Sequence, residues 1–85
     1  MWKVLFEKEF GEMRYELLMT LPFVPIPGLN IRIGERGELT FCIGHGICWV
    51  ETLEMFVAVA VQPLFRLGEP NEPEEWVAQG FKLRK

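Results

Sequence analysis

The segment Met13–Leu21, MRYELLMTL, carries the pattern that decides the fold. Apolar side chains stand at every second position of this segment, with mostly polar residues between them. A two-residue period is typical of a β-strand with one buried face, because successive side chains point to opposite faces. The preceding segment Trp2–Phe10 alternates in the same way, and Gly11 with Glu12 offers a turn. The two segments therefore predict a β-hairpin.

Alternation returns after a proline-rich connector and predicts further strands. The three prolines in residues 22–28 each lack an amide donor and each restrict the preceding residue to extended backbone, so this connector is rigid. Strand patterns follow at residues 29–33, 39–43, 47–52 and 55–61. The last of these is apolar on both faces, as in a central or doubly covered strand. Residues 44–46, Gly-His-Gly, form either a tight hairpin loop or a bulge within one bent strand.

The C-terminal part predicts the one helix of the chain. Residues 69–75 form an acidic, proline-containing loop, and residues 73–80 have the pattern of a short helix that begins at a proline. We expect Trp76 to dock this helix on the sheet. Eighty-five residues are enough for one domain and too few for two cores. The prediction is a single mainly β domain over residues 1–85, either a small antiparallel barrel or a strongly bent sheet of five to seven strands.

Composition excludes several functional classes. The formal net charge of −3 opposes a general affinity for nucleic acid, which needs a dense basic surface. The longest apolar run covers seven residues, against the roughly 20 that a membrane helix requires. Charged residues interrupt the first ten positions, so they lack the apolar core of a signal peptide. With two cysteines and no export signal, we expect a cytoplasmic protein, in a host cytoplasm if the gene belongs to a phage.

Residues 25–61 carry a pattern that resembles a known group of proteins. The matching positions are Pro27, Gly28, Leu29, Ile31, Ile33, Phe41, Ile43, Ile47, Trp49, Phe56, Val57, Val59 and Val61. Their order resembles small Src-homology-3-like β-barrel proteins of phages and mobile elements. The resemblance implies a proline-glycine turn that opens one strand, with three further strands in a meander behind it. It covers under half of the chain and transfers no catalytic residue.

Cys42, His45 and Cys48 are the residues with the spacing of a chemical site. A structural zinc ion needs four ligands, and the fourth would have to come from a carboxylate such as Glu51 or from a second chain. A cysteine nucleophile with a histidine base needs hydrogen-bonding distance and usually a third, orienting group, and nothing in the sequence marks either cysteine as activated. We therefore expect both cysteines to be small apolar strand residues, with no metal, no cofactor and no enzymatic activity.

Basic residues provide one alternative function. Arg14, Arg32 and Arg36, with an aromatic stacking partner, would form a surface for single-stranded nucleic acid if the fold brought them together. The opposing interpretation is a scatter of solubilising charges, which the acidic balance favours. Nucleic-acid binding is therefore the alternative hypothesis.

Surplus apolar side chains support the leading functional hypothesis. A barrel this small has a limited interior, so some large apolar residues should be exposed unless the C-terminal helix covers them. The candidates for partner contacts are Leu18, Trp49, Phe56, Phe65 and Trp76. They predict a non-enzymatic protein-interaction module that binds another protein or a second copy of itself. It would act as a phage-encoded inhibitor of a host system or as a phage assembly or adaptor component.

Overall fold

The computed structural model describes residues 1–61 and 72–84, which form a strongly curled, open half-barrel sheet with one short helix. Within these residues the elements are β1 (Trp2–Phe10), β2 (Met13–Leu21), β3 (Asn30–Ile33), β4 (Leu39–Ile43), β5 (Cys48–Val50), β6 (Met55–Val61), α1 (Pro73–Val77) and β7 (Lys82–Leu83). The predicted mainly β fold is confirmed. The sheet takes the strongly bent form and does not close into a barrel.

The hairpin formed by β1 and β2 lies next to the most apolar strand. The sheet order is β3-β4-β6-β1-β2-β7, and β5 also pairs with β6. Gly11 closes the hairpin with φ of +61°, the positive φ that a type II′ turn needs at its first central residue. β1 and β6 run parallel, with Val4 beside Phe56. The expected antiparallel sheet is therefore a mixed one, because strands far apart in sequence meet at its centre.

The segment between β4 and β5 is a bulge in one bent strand. Both strands pair antiparallel with β6, opposite the edge that β1 occupies. Residues 44–47 on this side face only residues 58 and 59 of β6. The Gly44 amide donates to the Val59 carbonyl at 2.9 Å, which keeps the bulged chain on the β6 edge. The hairpin alternative is therefore wrong, and the extra residues bend the sheet.

Alternate residues of the strands face the inside of the curl and form the core. Phe6 and Phe41 are fully buried there, with ring centroids 4.5 Å apart. The ring of Phe81, which follows the helix, stacks on Phe41 at 6.3 Å. Complete burial of one such apolar side chain contributes roughly 1.5–3 kcal/mol to the free energy of folding. The other buried apolar residues are Val4, Tyr15, Leu21, Ile33, Leu39, Cys42, Ile43, Ala58 and Trp76.

Helix α1 is shorter than predicted. It covers Pro73–Val77, and residues 78–80 form turns instead of a further helical turn. The predicted acidic loop over residues 69–75 overlaps it, and residues 69–71 lie outside the described part. The expectation that Trp76 docks the helix is confirmed, since this side chain is 3% exposed. Its ring lies 5.0 Å from Phe81 in an edge-to-face contact.

Glu7 of β1 is a buried carboxylate. Charged residues that alternate with apolar ones in a strand usually face solvent, but Glu7 is only 6% exposed. Its carboxylate lies 3.2 Å from Arg84 Nη1 and 3.8 Å from Arg14 Nη1. Because a buried charge requires a partner, the two guanidinium groups make this burial tolerable. A hydrogen bond to Glu9 and the charge of Glu7 raise the pKa of Arg14, so this guanidinium stays charged.

Candidate interaction surface

One end of the sheet gathers several chain segments. β1 begins there at Trp2, which pairs with Leu21 at the end of β2. β6 begins at the same end, because Phe56 pairs with the third residue of β1. Residues 51–54 form the turn between the end of β5 and the start of β6. β5 is shorter than the predicted strand over residues 47–52, because the strand ends at Val50 and the turn begins at residue 51.

Three aromatic side chains from three strands meet at this end. Phe56 of β6 lies between Trp2 of β1 and Trp49 of β5, with edge-to-face contacts at centroid distances of 5.8 Å and 5.0 Å. Such pairs contribute about 0.5–1.5 kcal/mol beyond their buried area. Trp2 is 41% exposed and Trp49 is 44% exposed, whereas Phe56 is half-buried. Phe56 therefore holds two indoles that remain largely open to solvent.

Charged groups border the two indoles. The Trp49 indole N–H donates to the Glu51 carboxylate at 2.6 Å. Lys3, Glu51 and Glu54 line a shallow cavity together with both tryptophans and Met1. Neither Lys3 nor Glu54 takes part in an ion pair within the described residues. The lining of this cavity thus carries two carboxylates and one lysine ammonium group.

The proline-rich connector adds exposed apolar side chains after the end of β2, the strand end that pairs with Trp2. It leaves β2 directly after Leu21, and Pro25 is buried. Phe23 and Val24 are 43% and 44% exposed. The Gly28 amide donates to the Ile43 carbonyl at 2.7 Å and fixes the far end of the connector. Because each proline restricts the residue before it, the exposed side chains are presented by a stiff backbone.

We define the apolar end as Trp2, Phe23, Val24, Trp49 and Leu53. Leu53 belongs to the turn between β5 and β6 and is 54% exposed. All five side chains lie at or next to the strand termini described above. Single exposed apolar residues are ordinary, whereas several exposed apolar residues at one end of a sheet are typical of an interaction site.

Leu18 lies on the opposite, outward face of the sheet. It is 54% exposed, as much as Leu53. The strand register places it in one lateral row with Leu5, Val57 and Cys48. Leu5 and Val57 are half-buried, so this row offers less exposed apolar surface than the apolar end.

The structure separates the five predicted contact residues. Trp49 and Phe56 lie together at the apolar end, while Leu18 is on the outward face. Trp76 belongs to α1 and is buried in the core, with 3% of its surface exposed. Phe65 lies outside the described residues.

The Cys42, His45 and Cys48 group does not converge. Cys42 pairs with Val61 and Cys48 with Val57, so the two cysteines sit four residues apart along β6. That is roughly 13 Å, well beyond the reach of a disulfide or of one metal ion. Cys42 is buried and Cys48 is exposed, and both are free thiols. Within residues 1–61 and 72–84, no three His, Cys, Asp or Glu side chains are arranged to hold a metal ion.

The predicted arginine surface is also divided. Arg14 on β2 donates to Glu9 at 2.7 Å, which offsets its charge. Arg32 on β3 lies four strand positions away in the sheet order and donates to the Gly37 carbonyl at 2.9 Å. Arg36 follows in the turn after β3. Arg32 and Arg36 therefore belong to one hairpin, without Arg14.

Four residues of the apolar end are not among the contact residues predicted from the sequence, namely Trp2, Phe23, Val24 and Leu53. Trp2 shares the alternation of the core-facing residues of β1, and only its position at the strand terminus distinguishes it. Phe23 stands among prolines, where the pattern predicts a connector and gives no information on exposure. The usable signal was the run of uncharged residues from 17 to 31, which includes this connector.

The described part of the chain contains no helix with the length and apolar character to cross a membrane. Comparison with profiles of protein families, with curated proteins and with solved structures finds no match.

Proposed function

We propose that this protein is a non-enzymatic, cytoplasmic interaction module that binds another protein through its apolar end. It acts by occupancy, as an inhibitor, an adaptor or an assembly component. The observation that carries this proposal is the pair of half-exposed indoles, Trp2 and Trp49, held on Phe56. Phe23 and Leu53 are exposed next to strand termini at the same end of the sheet. Tryptophan is the residue most enriched among the few side chains that dominate the energy of protein interfaces.

The rigidity of the apolar end supports binding. Ordering a flexible side chain at an interface costs about 0.5–1.5 kcal/mol. Trp49 is already held by Phe56 and by its hydrogen bond to Glu51, and Phe23 is carried by a proline-restricted backbone. Much of this cost is therefore met during folding. A partner gains contact area on large aromatic faces with little further loss of entropy.

Binding of single-stranded nucleic acid is less well supported. Bases would have to stack on Trp2 and Trp49, whose shared cavity is also lined by Glu51 and Glu54. These carboxylates would repel the phosphates that accompany the bases. The alternative stays a prediction, and a gel-shift experiment with single-stranded DNA and RNA at low ionic strength tests it.

Affinity capture with matched baits tests the proposed function. We expect the wild-type chain to capture a defined partner from a lysate of its own organism, with Leu53→Ser losing it and Leu18→Ser retaining it. The two leucines are equally exposed, so the comparison isolates the surface from the general loss of an apolar side chain. Circular dichroism of both variants serves as the control that they fold. Loss of the partner with Leu18→Ser alone would refute the assignment to the apolar end.

A further inference from the structure

We infer that the apolar end also binds a second copy of this chain, in a dimer with twofold symmetry. This inference rests on the proposed function, because it names one occupant of the same surface. It follows from two properties of that surface, the arrangement of its charges and its area.

The charged groups at the cavity are complementary to those of a second copy of the same surface. Glu51 and Glu54 provide two negative groups, and Lys3 provides a positive group. The cavity therefore carries both signs of charge. In a twofold interface the same patch faces itself, so Lys3 of one copy can lie against a carboxylate of the other. Lys3 and Glu54 are available for this role, since neither has an ion pair within the described residues.

The exposed area suits a small dimer interface. The partly exposed side chains of the apolar end, with Met1 at 84% exposure, offer on the order of 600 Å² of mainly apolar surface per copy. Specific interfaces bury about 800 Å² per partner. The two indoles line one cavity together with the charged groups, and protein interfaces likewise combine apolar aromatic side chains with polar groups.

Sedimentation equilibrium up to about 0.5 mM protein tests the inference. We expect the wild-type chain to be a dimer at the upper end of this range. Leu53→Ser should raise the dissociation constant at least about tenfold, and Leu18→Ser should leave it within about twofold. A folded monomer at all concentrations, or dissociation by Leu18→Ser but not by Leu53→Ser, would overturn the inference.

A charge exchange makes the test specific to this geometry. Lys3→Glu and Glu54→Lys should each weaken the dimer, since each places like charges across the twofold axis. An equimolar mixture of the two variants should form a heterodimer that is tighter than either homodimer, because the opposite charges meet again. A mixture no tighter than the separate variants would contradict the proposed pairing.

The two proposals fail in different ways. If the chain is a monomer but still captures a partner that Leu53→Ser loses, the proposed function stands and the dimer inference is refuted. If the chain dimerises, responds to Leu53→Ser and to the charge exchange, and captures no other protein, the dimer inference stands and the proposed binding of another protein is refuted.

Discussion

The buried indole N–H of Trp76 leads to a prediction about the free energy of unfolding. This nitrogen is buried and has no hydrogen-bond partner within the described chain, although Trp76 anchors helix α1 in the core. A buried donor without a partner costs about 1–3 kcal/mol. Trp76→Phe removes the donor and leaves an aromatic ring against Phe41 and Phe81. We therefore expect this loss of ring volume to be far less harmful than core substitutions normally are.

The magnitude follows from two opposing effects. Phenylalanine is smaller than tryptophan by about 40 Å³, which at about 24 cal/mol per Å³ of cavity costs about 1 kcal/mol, and the lost transfer free energy adds a similar amount. Removal of the unpaired donor offsets about 1–3 kcal/mol of this. The net change for Trp76→Phe should lie within about 1 kcal/mol of zero. Trp76→Ala removes the ring contacts as well and should cost about 3–5 kcal/mol.

Urea unfolding followed by far-UV circular dichroism measures both variants. With a slope of about 1–2 kcal/mol per M, we expect Trp76→Ala to lower the midpoint by about 2 M or to prevent folding. Trp76→Phe should shift the midpoint by less than about 1 M. A loss above about 2 kcal/mol for Trp76→Phe would refute the reasoning, because it would mean that the indole N–H is satisfied in the folded protein.

Three further predictions concern other parts of the chain. Glu7→Gln should lower the free energy of unfolding by about 1–3 kcal/mol because it leaves two arginines without their buried partner, whereas Glu9→Gln, at an exposed pair, should cost under about 1 kcal/mol. Gly44→Ala should cost about 1–3 kcal/mol because its Cβ would lie 2.7 Å from a β6 side chain and 3.0 Å from a β6 carbonyl. Gly46→Ala should be neutral within about 0.5 kcal/mol, since no atom lies within 4 Å of the added Cβ. A thiol reagent should modify Cys48 in the folded protein and the second thiol only on unfolding.

Urea unfolding measures the change in the free energy of unfolding for the four substitutions. The reaction of each thiol is followed with a reagent that releases a chromophore, by its absorbance. Equal losses for Glu7→Gln and Glu9→Gln would contradict the burial of Glu7. An unaffected Gly44→Ala variant would contradict the close packing of the bulge on β6. Equal reaction rates for the two thiols in the folded protein would contradict the burial of Cys42.

Local pattern was sufficient for most of the strands. The alternation in Trp2–Phe10 and Met13–Leu21, with a glycine turn between them, predicts the hairpin that the structure contains. The strands at 39–43 and 55–61 also have the predicted bounds. These elements are predictable because their period is set by neighbouring residues and by one buried face.

Long-range pairing could not be read from the sequence. The parallel contact of β1 with β6 joins segments about 50 residues apart, and periodicity says nothing about which strands become neighbours. The same limit explains Glu7, whose hydrogen-bonding partner Arg84 is 77 residues away. It also explains the site, since the proximity of Trp2 and Trp49 depends on β6 lying between their strands.

The two ends of β1 show why the exposed apolar residues collect where they do. At its C-terminal end, Phe10 contacts Trp76 at 6.0 Å, so helix α1 covers this end of the half-barrel. At its N-terminal end, Trp2 and its neighbours are open to solvent, and among the described residues no helix lies there. Within residues 1–61 and 72–84, helix α1 therefore closes one mouth of the half-barrel and leaves the mouth at Trp2 without a helix. This second mouth is where we propose that a protein partner, including a second copy of the chain, binds, because apolar side chains are exposed there.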